Sequence, residues 1–163
     1  MDFMANPFCD ADSHALWEML VRRDIEGFLA GDWNLLARDF LEAGFFGLDG
    51  CFHADPDKWK LAFPDLDSYR KAWLAQSESF RRTRFLEDPR PCLYAAVKLA
   101  RIEIQDTSAL VHKKFDGAIP QENGETLQLR WQSFFLCRKV GGVWKIAGFV
   151  GYLPNPNRQP ATS

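Results

Sequence analysis

The stretch Thr126–Pro154, TLQLRWQSFFLCRKVGGVWKIAGFVGYLP, constrains the fold more than any other part of the chain. At its centre lies Gly141-Gly142. A two-residue glycine loop suits a type I′ turn, because both central residues take φ > 0 there without a Cβ clash. Such a turn pairs Val140 with Val143 and fixes the register outward along two long strands. On one face Lys139 then meets Trp144, Cys137 meets Ile146, Phe135 meets Gly148, Ser133 meets Val150 and Trp131 meets Tyr152. On the other, Arg138 meets Lys145, Leu136 meets Ala147, Phe134 meets Phe149 and Gln132 meets Gly151. The first face is the more apolar and is expected to point at the core. The second mixes apolar and charged groups, as a partly covered surface would.

A chain of 163 residues is long enough to bury about 70% of its unfolded surface as one domain. Six Trp and fourteen Phe supply a thick core or the walls of an apolar pocket, without choosing between them. A net charge of −2 with no basic block argues against a nucleic-acid footprint. The cysteines at 9, 51, 92 and 137 have no CxxC spacing and read as reduced, structural thiols. Neither a signal-peptide pattern nor an apolar run of about 18 residues is present, so a cytoplasmic location without membrane contact is expected. His14, His53 and His112 show no metal-ligand spacing, and no phosphate loop or GxSxG elbow occurs. No metal or cofactor is therefore expected.

Residues 1–11 read as a loose lead. A helix follows, capped by Asp12 or Ser13, with Trp17, Leu20, Val21, Phe28 and Leu29 at helical spacing. Gly31 stops it and Asp32 caps a short second helix carrying Trp33, Leu36, Ala37 and Phe40. Residues 45–53 form a strand with Phe46, Leu48 and Phe52 on one face and Asp49, Cys51 and His53 on the other. Residues 54–66 are a loop with two prolines. Asp67 caps a third helix, with Tyr69, Trp73, Gln76 and Phe80 along one stripe. Residues 86–92 read as a turn, followed by strands over 93–105 and 108–115 joined at Asp106-Thr107. A polar loop at 116–125 leads into the central hairpin, and 155–163 has the composition of a disordered tail. A single domain over 12–154 results, of the α+β class: a curved antiparallel sheet wrapped around three N-terminal helices.

One residue interrupts the first helix's apolar stripe. Asp24 lies one turn after Leu20 and one before Phe28, so it should share their inward face. A carboxylate there costs several kcal/mol unless paired or wetted. It is either a partner for Arg22, Arg23 or a loop amide, or a rim residue of a rotated helix, or a functional group.

AGDW at 30–33, the strand after the second helix and the ending VGGVWKIAGFVGYLP together resemble the nuclear transport factor 2-like superfamily. That superfamily includes the SnoaL-like polyketide cyclases, ketosteroid isomerases and scytalone dehydratases. The resemblance covers roughly 12–154 and implies a cone with a central apolar pocket. It also implies a homodimer through the outer sheet face, here Phe134, Leu136 and Phe149 with Arg138 and Gln132. In the isomerases a carboxylate on the strand after the second helix is the base, and Asp49 falls within one residue of that place. Their tyrosine donor has no counterpart, since Asp24 occupies its position. The dehydratases use a histidine steadied by a carboxylate, which implies His112 with Asp24. In LVHKKF, however, Val111 and Phe115 form the more apolar alternating set, which turns His112 outward.

Two functional readings follow. One is acid–base chemistry, by a lyase, isomerase or cyclase, on a small hydrophobic or carbonyl compound. Asp24 or Asp49 would take the proton, and Tyr152, Trp131 or His112 would donate to the developing oxyanion. Trp17, Phe46, Trp73 and Phe135 would wall the pocket, with Ser133 among its inward polar groups. The other reading is a non-catalytic homodimer that binds a small hydrophobic ligand or a partner protein through the same cone, Ser133, Tyr152 and Asp24 satisfying one another or a buried water. A cone filled by its own tryptophans is the purely structural alternative.

Overall fold

The computed structural model describes residues 1–156 of the chain. Most of the tail expected to be disordered therefore lies outside the described residues. Asn155 is tied down, its side chain donating to the Phe115 carbonyl at 3.1 Å and its carbonyl accepting from Arg130.

Asp10, rather than Asp12 or Ser13, caps the first helix, accepting from the Ser13 amide. That frees Asp12 for a longer-range task. Helix α1 (Ala11–Trp17) passes through a π-helical turn (Glu18–Arg23) into α2 (Asp24–Ala30). The expected second helix is instead two 3₁₀ turns, Trp33–Leu35 and Ala37–Asp39, interrupted at Leu36 with φ −128°. Strand β1 is only Phe46–Asp49, and the proline-containing loop carries a short edge strand, β2 (Lys60–Phe63). Helix α3 spans Leu66–Arg82, capped by Asp65.

A further helix, α4 (Arg90–Ala96), stands where a turn and a strand start were expected. Its proline lies in the first turn, where the fixed φ suits a helix and no N–H is needed. Four long strands complete the chain: β3 (Val97–Gln105), β4 (Ser108–Pro120), β5 (Thr126–Val140) and β6 (Val143–Leu153).

The sheet order is β2-β1-β6-β5-β4-β3. The four C-terminal strands are antiparallel in sequence, as the alternation implies. The sheet as a whole is mixed, because β1 lies parallel to β6. Hairpin pairs at this end have the expected partners from Val140↔Val143 to Cys137↔Ile146. Then β6 inserts one extra residue, Ala147, so Leu136 faces Gly148, Phe135 faces Phe149 and Phe134 faces Val150. A bulge of this kind moves every later side chain to the opposite face. Phe149, expected outside, is consequently buried at 4% exposure. A second irregularity sets Gly151 and Tyr152 against Ser133 alone, with Tyr152 at φ 55°.

The helices and the inner sheet face enclose one core. At its edge, Asp12 accepts hydrogen bonds from Trp144 Nε1 (2.9 Å) and Lys139 Nζ (3.0 Å), clamping α1 to the hairpin. These bonds, Trp144's first, hold its carboxyl below the usual value. A depressed folded pKa contributes stability that is fully present above the unfolded value, about 3.9 for an Asp. It is lost as pH falls through the folded value. In urea titrations at a series of pH values, Asp12→Asn should show a shallower loss of midpoint below that value than the wild type. Equal slopes would contradict the clamp.

Candidate functional site

Between α2, α3 and the concave sheet face lies a partly enclosed cavity of about 230 Å³. Two other depressions, at Leu29–Arg90 and Thr83–Asn123, are larger at about 370 and 520 Å³, but they open broadly to solvent. Of these three the inner cavity is the best walled. Phe28, Trp73, Phe80, Phe115, Trp131, Phe135 and Phe149 supply most of its apolar lining, with Ile25, Leu93 and Leu129.

Strand alternation explains which residues of β4 look inward. Val111 is fully buried, and Phe115 lines the cavity. The residue between them on that face is Lys113, which sequence reasoning passed over although the same alternation selects it. Its exposure is 2%. Nζ donates to the Leu20 carbonyl at 2.5 Å and to Asp24 Oδ2 at 3.1 Å. It also lies 5.0 Å from the centroid of the Phe115 ring and 5.7 Å from that of Phe135, within cation–π range. Leu20 belongs to the π-helical turn, a distortion that recurs at functional sites.

Asp24 is where its helical phase put it, facing inward. Oδ2 takes Lys113 and Oδ1 accepts from Trp73 Nε1 at 3.1 Å. With a side-chain exposure of 30% it touches the cavity, whereas Lys113, at 3%, is almost wholly enclosed. An ammonium buried this deeply costs several kcal/mol unless paired, and Asp24 is the pairing charge.

Around this pair stand groups that can orient a ligand. Tyr69 and Ser133 are among the residues lining the cavity, and no fully buried side-chain polar atom lacks a partner among the described residues. Burial, with the Asp24 charge next, pushes the Tyr69 phenol well above its usual pKa. Burial likewise raises Tyr152, whose hydroxyl donates to Gln76 Oε1 at 3.1 Å. Both phenols stay protonated, and that of Tyr152 donates. Tyr152 reaches the cavity because the second irregularity, at Gly151 and Tyr152, turns it back inward, and its left-handed backbone is a strained conformation costing about 1–3 kcal/mol.

The sequence-derived candidates thus separate. Asp24, Trp73, Trp131, Ser133, Phe135 and Tyr152 converge on the cavity. Trp17 does not: it is buried beside Tyr94, with ring centroids 6.3 Å apart, and lies under Arg22. Phe46 also points away, its ring lying over Gly148 on the outer face. The residue before it, Phe45, takes the inward place against Phe40, Tyr69 and Phe149.

Asp49 is outside the lining. Its Oδ1 accepts from the Cys51 amide at 2.7 Å, bracing the turn that ends β1. His112 faces outward, stacked on Phe134 at 4.4 Å and bonded to Gln132 at 2.7 Å. It does not meet Asp24, because Lys113 occupies the inward position. Among the described residues no group of three or more His, Cys, Asp or Glu is placed to hold a metal ion. No helix there is long and apolar enough to cross a membrane.

Neither models of known protein families nor curated proteins match this sequence. Solved structures do. A conserved protein from Planctomyces limnophilus superposes with a TM-score of 0.59 at 17% identity, over 88% of this chain and 95% of that one. A nuclear transport factor 2-like protein of unknown function from Shewanella baltica gives 0.51 at 22% identity, over 86% and 91%. A nuclear transport factor 2-like protein with a cystatin-like fold from Novosphingobium aromaticivorans gives 0.54 at 13% identity, over 92% and 85%. The chain therefore has the nuclear transport factor 2-like, cystatin-like α+β fold. Likeness at these identities carries the fold and no activity.

Proposed function

We propose that the cone binds a small, uncharged, mostly apolar compound bearing a carbonyl or hydroxyl oxygen, and that the Lys113–Asp24 pair performs acid–base chemistry on it. The observation carrying this reading is a paired ammonium and carboxylate in the wall of a largely aromatic cavity, with protonated hydroxyls nearby. A buried ion pair is weak evidence for stability, since apolar residues of similar size often do as well or better. Here the pair instead supplies what a proton transfer needs: a donor, an acceptor and a low-dielectric surround that strengthens both. As Lys113 and Asp24 neutralise one another, a neutral ligand fits better than an ion. The volume, about 230 Å³, is below the ~300–1,000 Å³ of sites for drug-sized ligands and suits a single-ring compound.

A thermal-shift screen of single-ring carbonyl and hydroxyl compounds tests this. A compound at 100 times its Kd should add about 2.7 kcal/mol to the wild type. Ser133→Phe, which places a ring in the cavity, should fold and lose that shift. An equal shift in the variant would put the ligand elsewhere.

The outer sheet face supports a second element, a homodimer. Leu110 and Leu136, adjacent across β4 and β5, remain 39% and 42% exposed. The Phe134–His112 stack lies in the next row, and Arg101, Glu103, Lys114 and Arg138 surround it. An apolar centre with a rim of both charge signs suits self-association. Leu136→Glu should shift the wild-type dimer to monomer in sedimentation velocity. A wild type already monomeric at micromolar concentration would remove this element.

A further inference from the structure

We propose that Lys113 is a nucleophilic amine that forms an imine with a small aromatic or unsaturated aldehyde held in the cone. The inference rests on the ligand-binding reading above and adds a covalent step to it. An ammonium has three N–H donors. The Leu20 carbonyl and Asp24 take two of them. Lys113 is among the residues lining the cavity, where its Nζ lies over the rings of Phe115 and Phe135. An amine enclosed by apolar walls beside a proton acceptor is the setting in which lysine serves as a nucleophile toward carbonyl carbon.

The step balances with the groups present. One Nζ proton passes to Asp24 Oδ2, 3.1 Å away, leaving a lone pair on nitrogen. Nitrogen attacks the aldehyde carbon, a C–N bond forms, and the C=O π electrons move to oxygen. That oxygen takes the proton from Asp24 and becomes a hydroxyl. Asp24 then removes a second proton from nitrogen and returns it to the hydroxyl, which leaves as water while the nitrogen lone pair forms C=N. The sum is ammonium plus aldehyde giving iminium plus water. Nitrogen is positively charged in both the starting ammonium and the final iminium, so the pair with Asp24 is present at both ends of the reaction and no buried charge is stranded there. Tyr69 and Ser133 have hydroxyls on the same cavity to hold the carbonyl oxygen.

The test uses the wild-type protein, benzaldehyde as probe and cyanoborohydride to trap the imine, with peptide mass mapping over time. Lys113 should gain the benzyl mass at least ~10-fold faster than every other lysine, because the cavity presents the aldehyde at high effective concentration. Asp24→Asn should remove most of that preference, and benzyl alcohol, which cannot form an imine, should protect Lys113 by competition. Labelling of Lys113 no faster than of the exposed lysines overturns the proposal. In that case, benzyl alcohol stabilising the wild type but not Ser133→Phe would leave the binding reading standing. If the alcohol stabilises neither, both readings fail together.

Discussion

Replacing Asp24 with leucine should lower the free energy of unfolding by about 2–4 kcal/mol, and adding Lys113→Met should return most of that loss or more. The single change leaves an ammonium with 3% exposure without its counter-charge, still bonded to the Leu20 carbonyl. The Trp73 indole N–H also loses its acceptor. The double change removes both charges and substitutes apolar groups of similar volume in an aromatic wall, where such swaps are often neutral or stabilising. Urea unfolding of the wild type, both single variants and the double variant closes the cycle. Additive effects of the two changes, or a stabilising Asp24→Leu, would mean that Lys113 does not depend on Asp24 for its burial.

Phe45→Ala should cost about 3–5 kcal/mol, the usual range for truncating a buried phenylalanine, whereas Phe46→Ala should cost about 1 kcal/mol. Phe45, at 2% exposure, packs edge-on against Phe40 and tilted against Tyr69 and Phe149. Phe46 lies over Gly148 on the partly solvated side of the sheet and is only partly buried. Thermal or urea unfolding of the two variants distinguishes them. Reversed costs would place β1 in the opposite phase and turn Asp49 away from Tyr152, whose phenol its charge reaches.

This contrast shows where the chain could be read and where it could not. The turn at Gly141-Gly142 specified its own pairing, because a two-residue loop admits a single register. The α+β order followed from periodicity, and Asp24's inward position followed from helix phase. What sequence could not supply was phase after an irregularity. Ala147 adds one residue to β6 and turns Phe149 inward, and no local propensity marks that site beyond the glycine after it. Phe45 and Phe46 are chemically identical neighbours, so only the parallel pairing with β6 decides between them. Trp17 shared an apolar stripe with residues across the π-helical turn, yet that turn alters the helical phase between them.

Lys113 is a different case. The alternation Val111, Lys113, Phe115 was visible, and it already turned His112 outward. A lysine on an apolar face was passed over because lysines are seldom buried without a partner, and the partner here lies on another element 89 positions away in sequence.

Isothermal titration of the best compound from the carbonyl screen, into wild type and Ser133→Phe in parallel, tests the cone as a ligand site most directly. Binding inside the cavity gives one ligand per chain, a negative heat-capacity change from buried apolar surface, and no measurable heat with Ser133→Phe. Undiminished heat with the variant, or one ligand per two chains, would place the ligand on the outer sheet face and contradict the assignment of the Lys113–Asp24 cavity as the functional site.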